Sequence, residues 1–240
     1  MANSYFQFKQ FRVEQAHCAM KVCTDACVLG AMAAVAGARR VLDIGTGTGL
    51  LALMAAQRNS TATIEAVELD AAAAAQAAEN FAASPWAERL RAYPISLAQF
   101  AATHPASYDH ILCNPPFFRQ SLRSPDAQRT TARHTANDTL TFTEISRFAA
   151  DFLTEQGKLT VLLPPPEMLH FEQDAAAAGL YPTARLALHH RPGSRALRHI
   201  TAFGRQPQPV STQTLLLHDA DEAVYSQEFR ALLGGFYLHL

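Results

Sequence analysis

The chain has no apolar run approaching the roughly 20 residues that a membrane-spanning helix needs, so no membrane partner is expected. Its first residues, Met1-Ala2-Asn3-Ser4, lack both the basic start and the apolar stretch of a secretion signal, so a cytoplasmic setting is expected. Cysteine is scarce and unpatterned. Cys18, Cys23, Cys27 and Cys113 form no C-x-x-C pair, and even with His17 they match no zinc spacing. They read as small apolar residues in a cytosolic core, and no metal is expected. Net charge is also lacking: 20 Lys and Arg against 21 Asp and Glu leave a formal charge of −1. Nucleic-acid contact would then have to come from local patches. There is no internal repeat and no linker. What the chain does have is apolar content, 49% of 240 residues, enough for one α/β domain with a sizeable core.

The stretch 41–49, Val-Leu-Asp-Ile-Gly-Thr-Gly-Thr-Gly, organises the rest. It reads as a buried parallel strand, a glycine turn and the start of a helix. Glycine lets a ligand approach the backbone closely, and the helix start offers free N–H groups. A phosphate-binding loop needs Lys-Ser/Thr after the last glycine, where Leu50-Leu51 stand. A dinucleotide G-x-G-x-x-G turn would place its third glycine at Leu50. The pattern here is D-x-G-x-G-x-G, with Asp43 ahead of Gly45, Gly47 and Gly49. It resembles the first motif of class I S-adenosylmethionine methyltransferases. An acid suits a sulfonium cofactor that carries an ammonium group and no phosphate. Asp43 can accept hydrogen bonds through the turn or from that amino-acid moiety. An ordinary glycine turn remains open at this point, so a second site has to decide.

Taken in order, 6–11 suggests an edge strand or hairpin. Thr24 or Asp25 can N-cap the apolar helix that follows, and a capped start facing the glycine turn could help hold the cofactor's amino-acid end. The second strand is 63–68, with Glu68 at its carboxyl end, where a doubly wound fold brings an acid to ribose hydroxyls. Asp70 more naturally caps the alanine-rich helix 71–83. The third strand is 90–93, and Ser96 stands in the next loop where an acid to the adenine amino group would be expected. The fifth strand is 158–163, after a helix at 141–153. Strands at 183–188 and 199–203 follow, then 215–217 and a packing helix.

The fourth strand, 108–113, runs into Asn114-Pro115-Pro116-Phe117-Phe118. Two prolines cannot extend a central strand. The chain must turn there, at the sheet's carboxyl edge. The Asn114 side-chain oxygen and the Pro115 carbonyl give two acceptors in a small space, matched to an exocyclic amine or amide nitrogen with two hydrogens. Phe117 supplies a flat face. An adenine amine is a poor nucleophile because its lone pair is delocalised. Accepting both hydrogens pushes the nitrogen toward a tetrahedral geometry, and the methyl donor then needs only in-line placement. Two basic stretches follow. Arg119, Arg123, Arg129, Arg133 and His134 face only Asp126 in a polar stretch, and no Asp or Glu occurs between Asp174 and Asp219. That interval carries Arg185, Arg191, Arg195, Arg198, Arg205, His189, His190 and His199, consistent with one basic face.

With both motifs placed, nearly the whole chain resembles the bacterial family that methylates adenine N6 in the first valine tRNA, beside the anticodon. The resemblance is carried by Phe8-Lys9-Gln10-Phe11, Cys18-Ala19-Met20-Lys21-Val22, Thr24-Asp25, residues 43–49 and 114–118, Ser124-Pro125 with Arg129 and Arg133, Glu228-Phe229, and Gly235-Phe236-Tyr237-Leu238. Cys23 and Cys27 depart from glycine-like positions of that family, and Phe117 stands where Tyr is commoner. The resemblance implies a Rossmann-like class I methyltransferase with a mostly parallel seven-stranded sheet, helices on both faces and a short N-terminal extension. It divides the chain into an extension at 1–38, packed on the cofactor site, and a methyltransferase domain at 39–240, acting as a monomer. It implies S-adenosylmethionine as cofactor and tRNA as partner. Asn114, Pro115 and Phe117 would act on the base. Lys21, Thr24, Asp25, Asp43, Gly45, Gly47, Gly49, Glu68, Ser96 and Asn114 would hold the cofactor, and Arg119, Arg123, Arg129, Arg133, Arg191, Arg195 and Arg198 the RNA. Methylation of a protein glutamine amide uses the same corner, but usually beside a helical N-terminal domain for which about forty residues before Val41 are too few. Guanine-N2 methylation of ribosomal RNA, a dehydrogenase, and a noncatalytic nucleotide- or RNA-binding module are the other readings.

Overall fold

The computed structural model describes residues 3–18, 20–104, 106–116, 140–221 and 224–240. A hairpin of β1 (Tyr5–Gln7) and β2 (Arg12–Glu14) stands apart as a two-stranded sheet. Helix α1 (Thr24–Met32) leads to β3 (Arg40–Ile44), α2 (Leu50–Arg58), β4 (Thr63–Val67), α3 (Ala71–Ala82), β5 (Leu90–Tyr93), α4 (Leu97–Thr103) and β6 (Tyr108–Cys113). After it come α5 (Phe142–Phe152), β7 (Leu153–Leu163), α6 (Pro165–Ala177), β8 (Tyr181–His189), β9 (Ala196–Gly204), β10 (Ser211–Leu216) and α7 (Gln227–Leu233).

The strands form one sheet in the order β10-β8-β9-β7-β6-β3-β4-β5. From β7 to β5 every neighbour is parallel. β9 runs antiparallel between β7 and β8, and β10 is parallel to β8. Strand order reverses between β3 and β6, which opens a crevice at their carboxyl ends, the place where doubly wound sheets bind ligands. Alternate residues feed opposite cores. Val41, Ile64, Leu112 and Leu162 pack with α1, α2, α3 and α7, while Leu42, Ile44, Ile111, Val161 and Leu163 pack with α4, α5 and α6.

The sheet has eight strands where seven were expected. The eighth, β10, is the strand read at 215–217, which begins earlier, at Ser211, and joins the sheet as an edge; its first four residues, Ser211 to Thr214, are exposed. Solvent-facing polar residues leave no alternation to read, so only its apolar end stands out in the sequence. β7 likewise starts at Leu153, directly out of α5, five residues ahead of the expected 158. The N-cap of α1 is Cys23, with no side-chain cap, rather than Thr24 or Asp25. Asp25 lies inside the first turn. Its Oδ1 accepts from Ala26 N at 3.0 Å, and its Oδ2 pairs with Arg198 Nε at 2.9 Å. Asp70 does cap α3, accepting from Ala72 N and Ala73 N.

Among the described residues no helix is long and apolar enough to cross a membrane, and no cluster of three His, Cys, Asp or Glu is placed to hold a metal. Cys18, Cys27 and Cys113 are buried thiols and Cys23 is half-buried. Burial pushes Cys23 and Cys27 up to about 12.

Candidate active site

The glycine turn is fastened residue by residue. Gly45 N and Thr46 N donate to Val67 O at 2.8 and 3.2 Å, Gly47 N to Glu68 Oε2 at 2.9 Å, and Asn80 Nδ2 to Thr48 O at 2.8 Å. Gly47 and Gly49 hold φ of 56° and 84°, a region that side-chain-bearing residues rarely enter. A Cβ on Gly49 would lie 2.5 Å from Phe81 Cε1, so α3 is pressed against the turn.

Asp43 serves the turn from behind. It is fully buried, and its Oδ2 accepts from Thr46 Oγ1 at 2.5 Å and from Ala52 N at 3.2 Å. Its Oδ1 finds no hydrogen-bond partner. Burial pushes the carboxyl up to about 7. The Thr46 and Ala52 bonds pull it down, and the Glu68 charge adds to the rise. Of the two roles the sequence left open, the contacts show the structural one.

A cleft of about 540 Å³ opens where β3, β4, β5 and β6 end, within the size range of small-molecule sites, about 300–1,000 Å³. Gly45, Gly47 and Thr48 form its floor. Glu68 and Asp70 stand at the end of β4, and Val67, Leu69, Ile95, Leu97 and Ala98 make an apolar slot beside them. Ser96 is on the wall, but its hydroxyl accepts from Gln99 N at 3.1 Å as the N-cap of α4. Asn114 and Pro116, leaving β6, complete the lining with Leu140 and Glu144.

Of the residues singled out from the sequence, Lys21, Gly45, Gly47, Glu68, Ser96 and Asn114 share this wall. Thr24, Asp25, Asp43, Gly49 and Pro115 do not border it. Phe117, Arg119, Arg123, Arg129 and Arg133 lie outside the described residues. The stretch before α1 contributes more than expected: Cys18, Met20, Val22 and Cys23 all line the cleft. Gln15, itself buried, holds this stretch by accepting from Val22 N at 2.8 Å and through its carbonyl from Lys21 Nζ. Met20 Sδ accepts from Asn114 Nδ2 at 3.8 Å, so the stretch before α1 meets the chain leaving β6. Met20 lies in a segment that carried the resemblance but was given no role there, and no local sequence signal marks Leu140 or Glu144. Ile95 and Leu97 could have been found as the apolar flanks of Ser96.

The expected single basic face is divided. Arg185 pairs with Glu172, and Arg205 donates to Ala150 O and Leu153 O at 2.6 and 2.8 Å. Arg205 also follows the far end of β9, at the opposite edge of the sheet. Arg198 is held by Asp25. Arg191 and Arg195 are exposed on the β8–β9 turn. The pairing of His199 with Leu163 and of Ala196 with His189 sets that turn at the same edge as the cleft.

The cleft suits a cationic ligand better than a polyphosphate. Its charged lining is Glu68, Asp70 and Glu144 against Lys21. An S-adenosylmethionine molecule fits this donor set: a glycine floor for the amino-acid end, Glu68 for ribose, an apolar slot for the base, and carboxylates around a positive sulfonium. A pyrophosphate would meet those carboxylates with like charge.

The family model of the methyltransferase small domain matches residues 24–165. The tRNA1(Val) (adenine(37)-N6)-methyltransferase of Dyadobacter fermentans is 43% identical over 239 residues, 98% of each chain. Those of Bacteroides thetaiotaomicron and Tolumonas auensis are 43% identical over 241 residues, covering all of this chain and at least 99% of theirs. Among solved structures, a predicted O-methyltransferase from Agrobacterium tumefaciens superposes with a TM-score of 0.65 at 19% identity, over 88% of this chain and 96% of its own. A 16S rRNA N2 methyltransferase of T. thermophilus, solved with AdoMet and guanosine, gives 0.55 at 20% identity, over 82% of this chain and 47% of its own. These two likenesses show the class I fold. With full-length relatives above 40% identity, the chain belongs to the tRNA1(Val) (adenine(37)-N6)-methyltransferase family.

Proposed function

We propose that the chain transfers a methyl group from S-adenosylmethionine to N6 of adenine 37 in tRNA1(Val). The observation that carries this is the position of Asn114-Pro115-Pro116. It leaves β6 at the switch point and puts Asn114 on the same cleft wall as the glycine turn. The choice of base and tRNA rests on family membership.

When bound, the cofactor supplies an electrophilic methyl on a positive sulfur. Gly45, Gly47 and Thr48 take the amino-acid end, Glu68 the ribose hydroxyls, and Ile95 and Leu97 the cofactor's base. Met20 occupies the donor side of the Asn114 amide, so Asn114 Oδ1 is the atom turned to the target amine. Asn114 Oδ1 accepts one of its hydrogens, and the Pro115 carbonyl, which is not on the cleft wall, is assigned the other on sequence grounds. The nitrogen lone pair is thereby localised and aligned, and the methylated nitrogen then sheds its proton without a strong base. Phe117 is assigned the flat face for the target ring. Glu144, in the same lining, adds a carboxylate that favours a cationic donor.

A base in a folded RNA must be splayed out to reach the cleft, at a cost of a few kcal/mol. Backbone contacts offset that cost. Arg191 and Arg195 are assigned to phosphates because they flank the cleft edge, and Arg119, Arg123, Arg129 and Arg133 on sequence grounds. Arg198 is assigned to the ion pair with Asp25 first. Residues 1–38 act as an extension closing the cofactor cleft and 39–240 as the catalytic domain. The protein is taken to act on tRNA as a monomer in the cytoplasm.

The test is methylation of an unmodified tRNA1(Val) transcript beside one carrying guanosine at position 37. Methyl transfer to the first alone is expected. Equal transfer to both would reject adenine 37 as target.

A further inference from the structure

The buried side of helix α3 carries Ala73, Ala74, Ala77 and Phe81 with two amides: Gln76, whose Nε2 donates to Glu79 Oε2 within the helix, and Asn80. Asn80 is 2% exposed. A buried amide among alanines and Phe81 is costly unless each of its polar atoms finds a partner, and an apolar residue of that size would pack at least as well. The partners lie far away in sequence. Asn80 Oδ1 accepts from Glu14 N at 2.9 Å, and Nδ2 donates to Glu14 O at 2.9 Å and to Thr48 O at 2.8 Å. One side chain therefore clasps both backbone groups of a β2 residue and also the glycine turn.

We propose that Asn80 is a positioning residue that keeps the glycine turn in its cofactor-binding shape by tying Thr48 to the N-terminal hairpin. This rests on the S-adenosylmethionine reading of the cleft.

The turn's other fastenings explain why this one matters. Gly45 and Thr46, at the start of the turn, are held by Val67 O, and Thr46 also by Asp43; neither fastening reaches Thr48. Gly47 is held by Glu68 Oε2, and the same carboxylate takes Asp70 N through Oε1 at 3.0 Å. Ribose hydroxyls arriving at Glu68 compete with Gly47 for that acceptor. The bond from Asn80 reaches the turn from the side away from the cleft, since Asn80 is not on its wall. It is therefore kept when the cofactor enters. It also links the turn to the chain segment that covers the cleft. Glu14 is followed by Gln15, whose side chain and carbonyl fix Val22 and Lys21 on the opposite wall. Floor and cover are thus set against each other through two adjacent residues of β2 and its exit.

Calorimetry of S-adenosylmethionine binding to the full chain tests this, with kcat measured at saturating cofactor. Asn80→Leu keeps the branched heavy-atom skeleton and removes all three bonds. The expected result is a rise of at least about tenfold in cofactor Kd and KM, with kcat at saturation little changed, because Asn80 touches neither Asn114 nor the target side. A role confined to stability would lower the melting temperature and leave the Kd of the folded protein as in wild type, and that result overturns the proposal. If Asn80→Leu does not fold, Asn80→Asp takes the same readings. It keeps the acceptor for Glu14 N and loses both donor bonds, and the same two outcomes decide. Wild-type protein that binds no S-adenosylmethionine would overturn the cofactor reading itself, and the two failures are told apart by that control.

Discussion

Gly49→Ala makes the most quantitative demand on the glycine turn. Gly49 has φ of 84°, and an added Cβ would meet Phe81 Cε1 at 2.5 Å and Cζ at 3.1 Å. The backbone term alone is roughly 1–2 kcal/mol for a residue forced into the left-handed region. Phe81 is 3% exposed in the core between α3 and the turn, so it cannot swing into solvent. Forcing it aside adds the cost of an overpacked core, about 1–3 kcal/mol. The sum, roughly 2–5 kcal/mol, is a large share of a typical folding free energy of about 5–15 kcal/mol. For a chain of this length each kcal/mol lowers the melting temperature by about 2–4 °C, so a fall of about 5–20 °C is expected in scanning calorimetry. Gly47→Ala has a φ of 56° but only Cys18 Sγ at 3.4 Å. It should show the backbone term alone, a fall of about 2–8 °C. Equal falls for the two variants, or a larger one for Gly47→Ala, would refute the reasoning.

Gly47→Val fills the cleft floor itself, and its loss should appear as cofactor affinity lowered beyond detection in calorimetry; wild-type affinity would sink the cradle assignment. Asn114→Ala should cut kcat on the order of 100-fold, as misplaced reacting groups do, with cofactor Kd within a few-fold; retained turnover would make the corner a mere turn. Burial raises the Asp43 carboxyl from 3.8 to about 7, so the folded chain binds that proton more tightly than the unfolded chain. The stability gained is full below the unfolded value and is lost as pH rises through about 7. The melting temperature of wild type relative to Asp43→Asn should therefore decline from about pH 4 to about pH 7 and then level off; a difference constant across that window contradicts the burial argument. Arg191→Glu with Arg195→Glu should weaken tRNA binding and flatten its salt dependence by about one logarithmic slope unit per lost phosphate contact, leaving cofactor Kd as in wild type; unchanged salt dependence would remove that loop from the RNA site.

Local pattern made much of the framework legible. The strands at 90–93 and 108–113 stand in the structure with those bounds, and each is closed by a turn signal, Pro94 after the first and Asn114-Pro115-Pro116 after the second. The assignment of Asp70 to the α3 cap followed from an acid just ahead of an alanine run. What could not be read was pairing across the chain. Asp25 and Arg198 were assigned to two different ligands, and their contact with each other across 173 positions was not foreseen. Asn114 meets Met20, 94 positions away, and Asn80 reaches Glu14 and Thr48 across 66 and 32. Asn114 and Thr48 sit in motifs and Asp25 at a helix start, but nothing local marks which distant residue each meets, since the pairing is set by the topology. Asp43 shows the same limit from another side: its burial, not its motif position, directs it to Thr46 and Ala52 rather than to the cleft.

The central claim is the identity of the methylated nitrogen. The direct measurement incubates the protein and labelled S-adenosylmethionine with total tRNA from a strain lacking the gene, then digests the RNA to nucleosides. The account predicts label in N6-methyladenosine, traced to a single valine tRNA. Label in N2-methylguanosine, or in glutamine of a co-incubated protein extract and not in tRNA, would contradict it.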